Sequence, residues 1–114
     1  YAECVRLLLA TPGVEVNKAN GNGETPLCNA VYRQQTECVR LLLAAPGVDV
    51  NAPNTYGVTP LHAAVLRGNA ELVRLLLAAP GIDARQPNAA GQSPYDVAVE
   101  KGLDEIAEIL KNQR

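Results

Sequence analysis

Cys28, His62 and Asp96 are the residues of this 114-residue chain whose types suit covalent chemistry: a thiol nucleophile, an imidazole base to activate it, and a carboxylate to orient the base. That chemistry requires nucleophile and base within roughly 2.6–3.2 Å of each other. The spacing opposes it, because residues 28, 62 and 96 are equally spaced and fall at one position of successive repeats. Helices packed side by side stand about 8–10 Å apart, so equivalent side chains on neighbouring units do not converge on one atom. Asp96 and Glu100 stand four apart, as paired carboxylates on a helix face would, but Lys101 beside them marks a solvated surface. No metal-ligand spacing and no phosphate-cradling glycine motif occurs. The chain is therefore expected to be no enzyme and to hold no cofactor.

The elements that position these residues follow from a repeat of 34 residues. Glu3-Cys4-Val5-Arg6-Leu7-Leu8-Leu9-Ala10 returns unchanged as Glu37–Ala44, and again from Glu71 to Ala78 with only Leu72 in place of cysteine. Pro12-Gly13, Pro46-Gly47 and Pro80-Gly81 keep the same step, as do Thr25-Pro26, Thr59-Pro60 and Ser93-Pro94. A hydroxyl residue directly before proline starts a helix: the side chain caps free N–H groups, and proline tolerates the first helical position. From Thr59 a helix is expected to run to about Arg67, where Gly68-Asn69 permits a left-handed turn; a second helix then spans about Ala70 to Ala78. Pro80-Gly81 ends it. The alternation Val48, Asp49, Val50 reads as a short extended arm of a hairpin, with Tyr56-Gly57 at the next turn. The second helix is apolar around most of its circumference, leaving chiefly Glu37 and Arg40 for water, so it needs cover on several sides. Stacked identical units supply that cover.

Thr59-Pro60-Leu61-His62-Ala63-Ala64, followed by Gly68-Asn69, Val73, Leu75-Leu76-Leu77 and Gly81-Ile82-Asp83, resembles the ankyrin repeat over essentially the whole chain. The resemblance implies an all-α solenoid of stacked helix-turn-helix units with projecting β-hairpin-like loops. Residues 1–114 then form one domain: a partial repeat over 1–22 that lacks its first helix, repeats over 23–56 and 57–90, and a C-terminal capping repeat over 91–114. Because Tyr1 aligns with Gln35 and Asn69, an upstream piece is expected; in the last unit Glu108 and Lys111 stand where Arg74 and Leu77 stood, as a terminal cap requires. The chain departs from the family in its longer step, with the extra residue before Pro46 and Pro80, and in its second unit. There Cys28 replaces the family's histidine and Gln34-Gln35 replace Gly68-Asn69, so that turn is expected to be strained or differently shaped. His62 is expected to be a partly buried imidazole that hydrogen-bonds backbone groups between repeats.

Charge and composition narrow the partner. A net charge of −2 offers no concentrated basic surface, so neither nucleic acid nor membrane is expected. The row Arg6, Arg40, Arg74 is matched by Glu3, Glu37 and Glu71, three residues earlier in each helix, and reads as a neutralised outer face. The longest apolar run, residues 41–45, is far short of the roughly 20 residues that span a bilayer. Three cysteines in no metal-ligand spacing fit a reducing, cytoplasmic setting, and Cys4 and Cys38, one repeat apart, are too distant to bridge.

Ankyrin repeats imply a protein partner, bound at the hairpin tips and on the exposed face of the first helices. The non-repeating residues at those positions are Asn22, Glu24, Tyr32 and Arg33, then Thr55, Tyr56, Val58, Leu66 and Arg67, with Ala89, Gln92 and Lys101 in the last unit. Tyr and Arg are the types that most often dominate binding energy. The expected function is thus a non-catalytic protein–protein interaction module, monomeric, with association through the incomplete first unit as the other state. The alternative is a structural or regulatory segment of a larger protein, packed on its own missing region.

Overall fold

In a computed structural model the described residues are 23–44 and 48–112. Among them six helices follow in pairs: α1 (Pro26–Tyr32) and α2 (Thr36–Leu43), α3 (Pro60–Leu66) and α4 (Ala70–Leu77), α5 (Pro94–Glu100) and α6 (Asp104–Lys111). The first helices begin alike. Thr25, Thr59 and Ser93 sit in extended backbone, with proline at the first helical position, and their hydroxyls accept hydrogen bonds from the backbone N–H groups of Cys28, His62 and Asp96 at 3.3, 3.2 and 3.2 Å. They also end alike, in a turn closed by two backbone bonds: Gly68 N–H to the Val65 carbonyl at 2.9 Å and Asn69 N–H to the Ala64 carbonyl at 3.1 Å, with equivalents at Gln34-Gln35 and Gly102-Leu103.

This turn demands a left-handed residue. Gly68 and Gly102 supply it without cost, whereas Gln34 adopts φ 57°, the one positive φ outside glycine among the described residues. The strain expected from the glutamine pair is therefore present in a turn of unchanged shape. The pair also lacks a cap. Asn69 accepts from Leu72 N–H at 3.1 Å, while Gln35 makes no such bond.

Helices of one kind stack on their own kind: α1 on α3 on α5 forms one layer, and α2 on α4 on α6 the other. The core lies between the layers. Ala30, Ala64 and Ala98, fully buried at one position of successive units, let the helices of a pair approach, and Leu27, Leu61, Val39, Val73, Leu72 and Leu76 fill the space around them. The exit from α4 tucks Ala79, the residue before Pro80, into the core's edge.

The loops project as hairpin-like tips, but no strand forms among the described residues. The extended arm expected at Val48–Val50 is instead a turn: Asp49 accepts from Asn51 N–H at 3.0 Å, bending the chain where a strand would continue. Further on, Asn54 closes the tip by itself. Its backbone N–H donates to the Val58 carbonyl at 3.0 Å, and its side-chain oxygen accepts from Tyr56 and Val58 N–H at 2.8 and 3.0 Å. Asn88 does the same for Ala90 and Gln92. Local side-chain bonds thus replace a ladder.

Candidate functional site

The third helical position of α1 and of α3 bonds the loop of the next unit. His62 is 1% exposed, and its Nε2 donates to the Gln92 carbonyl at 2.8 Å. A carbonyl only accepts, so the proton is on Nε2 and Nδ1 is an acceptor, 2.9 Å from the Thr59 hydroxyl and 3.4 Å from Thr59 N–H. Burial lowers the pKa of the imidazole, opposed in part by the bond to Gln92. Cys28 plays the same part more weakly, its thiol donating to the Val58 carbonyl at 3.9 Å. Burial, with the nearby Glu24 carboxylate adding to it, pushes that thiol up to about 11. Asp96 accepts from Ser93 N–H at 3.0 Å, completing a capping box. Each member of the nominal triad is committed to a different backbone group. The thiol is held protonated, and nothing activates it.

Other polar side chains couple the units as well. Asn51 was legible only as part of a repeated motif, yet it donates to the Gly81 carbonyl at 2.8 Å and accepts from Asp83 N–H at 2.7 Å, clamping one exit loop to the next. Arg74 corrects the expected pairing within its own helix: it reaches Glu105 in the following unit, at 3.0 Å, instead of Glu71. Arg6 and Cys4, named with it above, lie outside the described residues. Among the described residues no buried side-chain nitrogen or oxygen lacks a partner, and no group of three or more His, Cys, Asp or Glu is placed to hold a metal ion.

The sequence-selected surface residues sort themselves by position. Asn22 lies outside the described residues. Glu24, Tyr32, Tyr56, Val58 and Leu66 converge on one groove of about 410 Å³, whose remaining lining is Cys28, Asn54 and Ala63. Tyr32, Tyr56 and Leu66 are 45%, 71% and 38% exposed, an apolar group left open to solvent where α1, α3 and the tip at Asn54–Val58 meet. Arg67 lies beside the groove with its guanidinium 5.7 Å from the centre of the Tyr32 ring, a contact between units that spacing alone did not reveal. Arg33 is exposed at the end of α1.

Thr55 is turned to another use, since a Cβ on Gly23 would stand 2.6 Å from its hydroxyl; it packs on the preceding tip. Ala89 donates its N–H to the Tyr56 carbonyl at 3.1 Å, and Gln92 binds Glu100 through its side-chain amide. Asn54 was missed, although its 34-residue relation to Asn88 was a usable signal. A second opening, about 490 Å³ beside Tyr95, Leu110 and Lys111, lies at the edge of the last described unit and gathers none of the selected residues.

A stack of paired helices joined by projecting tips, with each unit hydrogen-bonded to its neighbour's loop, is a repeat solenoid. The sequence model of the ankyrin repeats, in three copies, matches residues 1–88 and 46–114, and the chain belongs to the ankyrin-repeat family. Ankyrin repeats are generally protein–protein interaction modules and typically not catalytic. No curated protein matches the chain. No helix among the described residues is long and apolar enough to cross a membrane.

Proposed function

We propose that this chain is a non-catalytic module that binds a partner protein through the groove formed by α1, α3 and the tip at Asn54–Val58. The observation that carries this reading is the exposure of Tyr32, Tyr56 and Leu66 around one 410 Å³ groove. The surrounding scaffold satisfies every buried polar side-chain atom among the described residues, so the fold itself gives these side chains no further task. Two tyrosines and an adjoining arginine are the residue types that supply most binding energy at interfaces, and a groove that takes one anchor side chain is where such energy concentrates. Glu24, Arg33 and Arg67 form the polar rim. In this reading residues 1–114 are one domain, divided at 22, 56 and 90, monomeric and cytoplasmic.

Affinity capture with the 114-residue chain tests it against a Tyr32→Ala, Tyr56→Ala, Leu66→Ser variant of matched helicity and melting temperature. A protein held by the first and lost from the second supports the groove. The same proteins on both, or a chain that only dimerises, overturns it in favour of a structural segment of a larger protein.

A further inference from the structure

The ends of the first helices carry a row of cations: Arg33 closes α1, Arg67 closes α3 and Lys101 closes α5, each exposed and each one repeat from the next. Arg33, Arg67 and Lys101 make no ion pair among the described residues, and the Arg67 guanidinium lies over the face of Tyr32. Two carboxylates of the last unit are already engaged, Glu105 by Arg74 and Glu100 by the side chain of Gln92. At the other end of the groove the charge has the opposite sign. Glu24 precedes the cap of α1, and its field is felt at Cys28 on the groove floor.

We infer that the partner segment is acidic and apolar, a large aliphatic side chain seated between Tyr32 and Leu66 with carboxylates beside it on Arg33, Arg67 and Lys101. This rests on the groove reading above and adds the chemistry of its occupant. The spacing supports it: neighbouring helices stand about 8–10 Å apart, and an extended chain advances about 3.3 Å per residue, so carboxylates at every third position match successive cations. A single-stranded nucleic acid also carries regular negative charge, but the stacking face of Tyr32 is covered by Arg67 and the groove is lined largely by apolar side chains. The net charge of −2 disfavours a polyanion further.

The test is fluorescence anisotropy with three labelled twelve-residue probes on the full chain at low salt: a Ser/Gly peptide with one central leucine and glutamate at every third position, the same peptide with lysine for glutamate, and an oligothymidine. The glutamate peptide is expected to bind best and to weaken about tenfold with R33Q/R67Q/K101Q, each exposed pair contributing little singly, and again on raising salt. Binding of the lysine peptide or the oligothymidine at least as tightly, no loss in the triple variant, or no binding by any probe overturns the inference. Loss of the lysine peptide with Leu66→Ser would leave the groove standing and remove only its acidic occupant. If the glutamate peptide instead binds through the cations but is indifferent to Leu66→Ser and Tyr32→Ala, the groove reading itself fails. Equal melting curves for all variants confirm that folding is not the cause.

Discussion

Replacing Gly57 with alanine tests whether the tips hold the stack together. Gly57 has φ 74°, and a Cβ built there would lie 2.5 Å from the Ala89 nitrogen and 3.0 Å from the Asn88 carbonyl carbon. Both obstacles are backbone, so no side chain can swing away. Two terms add. An L-residue in the left-handed region costs roughly 1–2 kcal/mol. Separating the tips also loses the 3.1 Å bond from Ala89 N–H to the Tyr56 carbonyl, a net contribution of about 0.5–1.5 kcal/mol.

Gly68 is the internal control. It lies in the same stack at φ 66° with nothing within 4 Å of a Cβ, so Gly68→Ala carries the conformational term alone. Urea unfolding followed by helical circular dichroism should place Gly57→Ala about 1 kcal/mol or more below Gly68→Ala, a sizeable share of a domain stability of about 5–15 kcal/mol. Because each unit contacts mainly its neighbours, a weakened seam should also flatten the transition as units separate. If the two variants lie within about 0.5 kcal/mol of each other, the contact between tips contributes nothing measurable and the reasoning fails.

Gln34→Gly should stabilise the chain by roughly 0.5–1 kcal/mol in the same assay, relieving the φ of 57° at the loss of one exposed bond from Asn69 to the Gln34 side chain. An unchanged or lower midpoint would mean the glutamine side chain matters more than the backbone. Stability should fall as pH drops below the ordinary histidine value of 6.5, because burial holds His62 below it: the unfolded chain takes up the proton first, and the loss levels off once the folded imidazole titrates. His62 is the chain's sole histidine, so His62→Gln should flatten the profile just below the ordinary histidine value of 6.5 while lowering stability throughout. Native Cys28 should resist iodoacetamide at pH 8, since a thiol near 11 is about one-thousandth ionised there, and should react on unfolding; rapid native alkylation seen by mass spectrometry would contradict its burial.

The helices were legible because their signals are local. Thr59-Pro60 and Gly68-Asn69 bracket α3 within a residue at each end, and the expected span at Ala70–Ala78 differs from α4 only by its cap residue. What the sequence withheld is contact between units. Arg74 has a glutamate three residues earlier and an equivalent glutamate one helix away; spacing along one helix shows only the first, and a long side chain can bridge to the second. The strand expected at Val48–Val50 failed for a related reason: alternation of apolar residues is a weak signal over three positions, and Asp49 and Asn51 bring turn chemistry that wins locally.

Repetition also separates the residues of the site. Residues that repeat, such as Thr25 and Thr59 or Asn54 and Asn88, serve the stack, and the structure finds each of them bonded to backbone. Tyr32, Tyr56 and Leu66 do not repeat: their counterparts one unit on are Leu66, Ala90 and Glu100. A scaffold built by copying has no use for such variation, and this supports the groove proposed above. The cations Arg33, Arg67 and Lys101 break this division, since they repeat and yet find no carboxylate among the described residues. At a helix C-terminus a cation gains about 0.3–1 kcal/mol from the helix dipole, which accounts for each one singly. It does not account for Arg33 and Arg67 standing beside Tyr32 at the exposed apolar groove. The acidic probe peptide decides between the two explanations, because a dipole interaction is satisfied within the chain and leaves the peptide no reason to bind.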